Sequence, residues 1–366
     1  MSKPKILMVS CEGLGRGGVQ AVMMSFVRNL KESFTFDILL FTNDVRYYDA
    51  EFLTYGGKII RIPHYSGRLW LRKRIDYYIR GASLFFKVKK ALKKNGPYQA
   101  IHCNNSYEAA LCLMAAKNAG IPVRICHSHT ACTSSNFLAK ILNGIYAWLI
   151  NRTSTHKIGC SLDACNALYG DKEHYNVLNN SYDDAIFDPA KYNNCSNSKF
   201  IITQVGRFDD NKNQFFSLEV ISSLIKKKKD VLLKLIGFGN EEYINCLKQK
   251  AIELKVEENI LFVDGNSANI PVELSQSSAF LFPSKKEGFG ITLIEAQAMG
   301  LTCFVSDSVP KTTNVGGCIY LSLDDGPEKW ASEILKTPCQ RKKYDCTQFK
   351  TSEVVKQIAL LYGGEK

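Results

Sequence analysis

Short apolar runs rich in β-branched residues alternate with amphipathic segments of helical length along most of the chain. In the first half the runs are Ile6–Ser10, Phe36–Phe41, Lys58–Ile62, Ala100–Cys103 and Val123–Cys126, with helices expected over about 18–31, 70–95 and 107–118. Alternation of this kind predicts a parallel sheet covered by helices. The pattern dissolves across 179–199 into turn-forming sequence that reads as a connection between domains. A second series follows, with strands at Phe200–Val205, Leu232–Ile236, Ile260–Val263, Ala279–Phe282 and Thr302–Val305 and helices at about 213–229, 241–255 and 291–299. The reading is α/β, with two doubly wound units whose strand ends border a shared cleft.

Composition refines this picture. The chain has 366 residues, 45% of them hydrophobic, enough for two cored domains. Of the 47 basic and 35 acidic residues, 24 and 14 precede residue 190, leaving 23 and 21 after it. The +12 formal charge therefore sits almost wholly in the first half and directs that half towards nucleic acid or a membrane surface. Thirteen cysteines, scattered singly and without a CxxC pair, suit a reduced cytosolic enzyme that uses Cys as a small buried side chain. Met-Ser-Lys-Pro-Lys leads directly into the first strand, so neither a secretory signal nor a transit peptide is expected. No apolar stretch reaches the roughly 18 to 20 residues that cross a bilayer.

Candidate chemistry concentrates at strand ends. Glu287-Gly-Phe-Gly-Ile-Thr-Leu-Ile-Glu295 sets two carboxylates eight positions apart around a glycine turn that opens a helix. A helix N-terminus offers N–H groups and a positive dipole end to phosphate, and eight residues is a little over two turns. An acid in the loop and an acid on the helix can then serve one cleft, although solvated helix faces show the same spacing. Strand 200–205 ends in Gly206-Arg207 with Lys212 close behind, strand 232–236 in Gly237-Phe-Gly239, and strand 279–282 in Pro283-Ser284. The loop after the first strand has glycines at 13, 15, 17 and 18 and meets the GxGxxG dinucleotide fingerprint only in part. Ile125-Cys-His127-Ser-His129 closes another strand with two imidazoles, one of which could serve only to hold a loop.

In this order the features resemble the retaining GT-B glycosyltransferases of family 4, over most of the chain and most strongly over about 200–310. Ser306-Asp-Ser-Val-Pro310 and Tyr320-Leu-Ser-Leu-Asp-Asp325 resemble the bacterial members that build capsular and exopolysaccharide repeat units. The resemblance implies the GT-B fold, two Rossmann-like domains facing across a cleft. Residues 1–190 would bind acceptor and 191–344 the nucleotide-sugar donor, with the C-terminal segment 345–366 joining the first domain. Arg207 and Lys212 match the basic pair on the donor diphosphate, beside Gly206. Glu287 matches the acid near the transferred sugar and Glu295 the one on the ribose, while the amides of Gly288, Phe289, Gly290 and Ile291 would meet phosphate or sugar oxygens. Gly17 and Gly18 match the loop near donor and acceptor. Either His127 or His129 matches the histidine at the reaction centre, with His129 favoured because it lies further beyond the strand. The chain departs from the family at Gln20, where many members have an acid, and at Val309-Pro-Lys-Thr-Thr313. Retention without metal or other cofactor is implied, and no Asp-x-Asp motif is present.

The acceptor side is suggested by residues 67–94, with ten basic residues and one acid. Apolar positions at 71, 75, 78, 82, 85 and 92 predict a core-facing stripe, leaving Trp70, Arg72, Lys73 and Arg74 to approach anionic headgroups. The alternative is a core helix with a solvated basic face. Together these features suggest transfer from a UDP-sugar to a lipid-linked saccharide by a peripheral enzyme at the cytoplasmic face of the membrane. A GT-B epimerase or hydrolase acting on a nucleotide-sugar is the competing reading. A nucleic-acid-binding role would leave Glu287 and Glu295 unexplained, and no recognised nucleic-acid motif occurs.

Overall fold

The computed structural model describes residues 3–10, 13–15, 17–63, 73–104, 109–129, 137–171, 173–192, 199–227 and 230–363, without the side chains of 73–82 and 137–139. The chain divides into two compact units, Met1–Ser181 with Thr351–Lys366, and Tyr182–Lys350.

The first unit runs β1 (Lys5–Ser10), α1 (Gly18–Leu30), β2 (Thr35–Leu40), α2 (Asp49–Thr54), β3 (Ile59–Arg61), α3 (Lys73–Asn95), β4 (Ala100–Cys103), α4 (Ala109–Asn118), β5 (Val123–Ser128), α5 (Phe137–Thr153), β6 (His156–Gly159), α6 (Leu162–Tyr169) and β7 (Asn176–Val177). Its seven strands lie in the order β3-β2-β1-β4-β5-β6-β7, all parallel. Such strands need apolar residues on both faces, and Ile6 to Val9, Ile38 to Leu40 and Ala100 to Ile101 are buried throughout.

The second unit runs β8 (Phe200–Val205), α7 (Gln214–Ile225), β9 (Val231–Gly237), α8 (Glu241–Glu253), β10 (Ile260–Asp264), α9 (Ile270–Ser275), β11 (Ala279–Phe282), α10 (Ile291–Ala298), β12 (Thr302–Ser306), β13 (Cys318–Leu321) and α11 (Gly326–Lys336). Six parallel strands take the order β10-β9-β8-β11-β12-β13. Gly237 and Gly265 end β9 and follow β10 where backbones press together: a Cβ on Gly237 would collide with the carbonyl oxygen of Gly206. The Gly237-Phe-Gly239 signature is thus a packing requirement at the strand ends. The last helix, α12 (Thr351–Leu361), belongs to the first unit, where Ser25 on α1 lies 3.4 Å from the Thr351 hydroxyl.

Of the expected stripe of α3, Leu92 is buried and Phe85 partly buried, while residue 71 and the side chains of 75, 78 and 82 are not described. Among the described side chains of α3, Leu84, Val88 and Leu92 are buried and Phe86 is exposed. Phe85 and Ala91 flank this i, i+4, i+8 row and are partly buried against the same core. Trp70 and Arg72 lie outside the described residues; Lys73 and Arg74 open α3, with side chains that are not described. Among the described residues no helix is long and apolar enough to cross a membrane, and the described cysteines are free thiols, most of them buried.

Candidate active site

In an open parallel sheet, loops diverge where the strand order reverses, leaving a crevice beyond the carboxyl ends. In the second unit the reversal falls between β8 and β11, and the loops after these strands hold the charged candidates. Asparagines tie the two loops together. Asn211 donates to the Lys286 carbonyl at 2.8 Å and accepts the Lys285 N–H through its own carbonyl at 2.8 Å. Asn213, in the left-handed region at φ 57°, donates to the Pro283 carbonyl at 3.1 Å. From beneath, buried Gln204 donates to the Lys212 carbonyl at 2.7 Å and accepts from Ser217 at 2.7 Å, while Gln214 donates to the Arg207 carbonyl at 2.9 Å. The amides of Gln204 and Gln214 are thus spent on fixing loop backbone.

On this frame the Lys212 amine donates to the Glu287 carboxylate at 2.5 Å and stands 5.0 Å above the Phe282 ring. Both partners are mostly buried, with side-chain exposures of 18% and 11%. Gly206 makes room, since a Cβ there would press on the lysine methylenes at 3.3 Å. Arg207 is exposed and donates to Asp209 at 2.6 Å, and the other Asp209 oxygen accepts the Lys212 backbone N–H at 3.0 Å. Asp209 therefore orients both ends of the basic pair. Sequence reasoning passed over Asp209, Asn211 and Asn213, whose signal was the polar cluster Asp-Asp-Asn-Lys-Asn beside a strand-ending glycine.

Gly290 starts α10 with φ 92° and no side-chain cap. Phe289 turns inward, edge-to-face on Phe349 at 5.7 Å, so only its backbone is available to a ligand. Gly288 and Ile291 are half-buried. The two acids of the motif occupy different surroundings. Glu287 is ion-paired, whereas burial, with Asp183 adding repulsion, pushes the half-buried Glu295 up to about 7. The Ser284 hydroxyl is buried without a hydrogen-bond partner among the described residues. Buried Gln297 donates to the Thr313 carbonyl at 2.7 Å and accepts the Val315 and Gly317 N–H groups at 3.0 and 3.2 Å, fixing the divergent 309–313 segment.

In the first unit the reversal lies between β1 and β4. Gly17 caps α1 and Gly18 opens it; a Cβ on Gly17 would collide with the side-chain oxygen of buried Gln20. Residue 102 of β4 pairs with 125 of β5, so the two-residue period of strands sets His102 and His127 on one face. His102 Nδ1 meets the Tyr362 hydroxyl at 2.6 Å, and its Nε2 meets His127 Nδ1 at 3.2 Å. His129, just past β5, contacts Asn104 Oδ1 through Nε2 at 3.1 Å. The His127 and His129 rings stand 3.9 Å apart, and Phe26 stacks on His102 and His127. Burial lowers His102 to about 3, His129 to about 4 and His127 well below the ordinary value. All three are neutral near pH 7. The structure brings both candidate histidines together, His127 fully buried and His129 partly exposed. It adds His102, Asn104 and Tyr362, for which the alternation His-x-Asn at 102–104, matching His-x-His at 127–129, was the available signal.

The profile of the family described as Glycosyl transferases group 1 matches residues 189–315, the region that holds the Lys212–Glu287 pair. EpsF of Bacillus subtilis (strain 168), whose own assignment as a glycosyltransferase is provisional, is 29% identical over 352 residues, spanning 92% of this chain and 88% of that protein. An Escherichia coli UDP-Gal:alpha-D-GlcNAc-diphosphoundecaprenol alpha-1,3-galactosyltransferase is 27% identical over 266 residues, 68% of this chain and 66% of that enzyme. Anabaena HepE, solved with UDP and glucose, superimposes with a TM-score of 0.75 at 16% identity over 99% of this chain and all of that one, a likeness of fold. With two parallel sheets and the family profile over its second unit, the chain is similar to the group 1 glycosyltransferases, family 4 of the GT-B fold.

Proposed function

We propose that the enzyme transfers a sugar, with retention, from a UDP-sugar to a lipid-linked saccharide during capsular or exopolysaccharide assembly at the inner face of the cell membrane. The Lys212–Glu287 pair carries this reading, because a lysine held at 2.5 Å from a carboxylate at the strand reversal sets a cation and a hydroxyl-binding acid side by side. Lys212 and Arg207 stabilise charge that develops on the departing diphosphate, helped by the Gly288 to Ile291 amides at the α10 N-terminus. Glu287 binds hydroxyls of the transferred sugar, and Glu295 those of the ribose. Loss of the nucleotide leaves an oxocarbenium-like sugar that the acceptor hydroxyl attacks from the leaving-group face, passing its proton to a phosphate oxygen. His129, with His127 beside it, stands at the reaction centre. No step calls on a metal.

In this reading residues 1–190, joined by 345–366, serve the acceptor, and residues 191–344 the donor, with Gly17, Gly18 and Gly206 allowing close approach of ligand to backbone. The exposed Lys87, Lys89, Lys90, Lys93 and Lys94 of α3 support contact with anionic lipid, extended by Trp70, Arg72, Lys73 and Arg74. The resemblance to an enzyme named for a UDP-Gal donor and a diphosphoundecaprenol-linked acceptor supports the substrate class. Nucleotide release from UDP-, GDP- and ADP-sugars, each with and without a lipid-linked saccharide, provides the test. The expected result is acceptor-dependent UDP release; acceptor-independent turnover transfers the site to an epimerase or hydrolase.

A further inference from the structure

Three of the buried polar atoms without a hydrogen-bond partner among the described residues are His127 Nε2, His129 Nδ1 and Asn180 Oδ1. They form one group, since His127 and His129 are 3.9 Å apart and Asn180 lies beside His129, where it favours the charged form of that ring. Buried polar atoms are ordinarily satisfied, so such a group marks the seat of a polar ligand.

The hydrogen-bond chain behind these atoms settles their polarity. Tyr362 is fully buried, and burial keeps its phenol protonated. Among the described residues its hydroxyl has one partner, His102 Nδ1 at 2.6 Å, so the O–H donates to that nitrogen. Neutral His102 must then hold its proton on Nε2 and donate it to His127 Nδ1, 3.2 Å away. Neutral His127 in turn holds its proton on Nε2 and presents an unspent N–H. His129 is set the opposite way. Asn104 donates its amide to the His102 carbonyl at 3.4 Å, leaving Oδ1 to accept from His129 Nε2–H at 3.1 Å. His129 Nδ1 is therefore a lone pair.

We propose that Tyr362 and His102 are positioning residues that fix His127 as a hydrogen-bond donor beside His129 as an acceptor, a pair matched to one sugar hydroxyl. A hydroxyl both accepts and donates, so it takes the His127 N–H on its oxygen and gives its own proton to His129 Nδ1. A phosphate or carboxylate offers no proton to the second nitrogen, so the pair selects hydroxyl ligands. The C-terminal segment thereby sets the chemistry of a strand end some 230 residues earlier in the chain (362 minus 127 is 235). The catalytic consequence rests on the placement of His127 and His129 under Proposed function; the tautomers do not.

Nitrogen-15 spectra of the histidine rings in the full-length chain at pH 7.5 separate the two. The expected wild-type result is neutral rings with the proton on Nε2 of His102, His127 and His129. Tyr362→Phe, which removes only the hydroxyl, should leave His102 and His127 as tautomer mixtures and lower kcat about 10-fold with little change in donor KM. Tyr362→Phe that keeps the wild-type tautomers overturns the proposal, as does a wild-type His127 protonated on Nδ1. Mixed tautomers with unchanged kcat uphold the relay and remove the two histidines from the reaction centre. His102→Leu, in a fold checked by the unchanged ring signals of His156 and His174, removes the donor at the next link, and a wild-type His127 signal there also overturns it.

Discussion

In the first unit three imidazoles gather at the ends of β4 and β5, each neutral because burial lowers its proton affinity, and they bond to one another, to Tyr362 and to Asn104. In the second unit the strand ends present ions: Lys212 on Glu287, and Arg207 on Asp209. The scaffolds are alike, since each is a parallel sheet with its polar groups at a strand-order reversal. What differs is depth. Imidazoles can shed charge at modest cost and so tolerate full burial inside β4 and β5, whereas Lys212 and Glu287 keep their charges on loops at the edge of solvent, where a partner at 2.5 Å offsets desolvation. Neutral donors and acceptors suit hydroxyls, and under the proposed function the cations of the ionic pairs meet the diphosphate.

The largest expected effect comes from breaking the ionic side. Lys212→Ala and Glu287→Ala should each lower transfer by on the order of 1,000-fold or more, since under the proposed function each removes a transition-state contact, and each leaves its partner charge unpaired. Circular dichroism should stay native. Nucleotide binding by calorimetry sharpens the contrast: Lys212→Ala should lose UDP affinity, while His129→Ala keeps it and loses turnover. Full transfer activity in Glu287→Ala would remove that acid from the site.

Acid and base should separate the units next. The unfolded histidines titrate near 6.5, but the folded His129 only near 4 and His102 near 3. Below about 6.5 the unfolded chain takes up protons that the fold refuses, so the first unit loses stability as pH falls towards 4, by on the order of 2 to 3 kcal/mol for one such group. Glu295 has the opposite sign. Its folded value is raised from 4.5 to about 7, so its contribution is complete below 4.5 and is lost as pH rises through 7. Hydrogen exchange read peptide by peptide should show strands 100–128 loosening in acid and α10 loosening towards pH 8. The same sign in both units would break the comparison.

The smallest effect concerns the surface. Replacing Arg72, Lys73 and Arg74 by Ser should weaken binding to vesicles rich in anionic lipid by about 1 kcal/mol per residue, more at low salt. Sedimentation that ignores both substitution and lipid charge would count against membrane contact through the start of α3.

Much of the architecture was legible because it rests on local signals. Alternating apolar runs and helices gave β1, β4, β8, β11 and their neighbours to within a residue or two, since strands buried on both faces must be apolar throughout. Lys212 and Glu287 were legible from glycine turns at strand ends. The elements that went unread, among them α5, β6, α6, β7 and α11, lie where weak periodicity or short length left no clear pattern.

The sequence by itself determined the α/β class, the strand-end positions of the charged residues and the family resemblance, because these follow from periodicity and from residues near one another in the chain. Only the tertiary structure decided that Glu287 is paired while Glu295 sits apart near Asp183, that Asn211 and Asn213 bind the 206–213 loop to the 283–287 loop, and that Tyr362 reaches His102. Those contacts join residues 70 to 260 positions apart, and their proton affinities and tautomers come from burial, which no local pattern encodes.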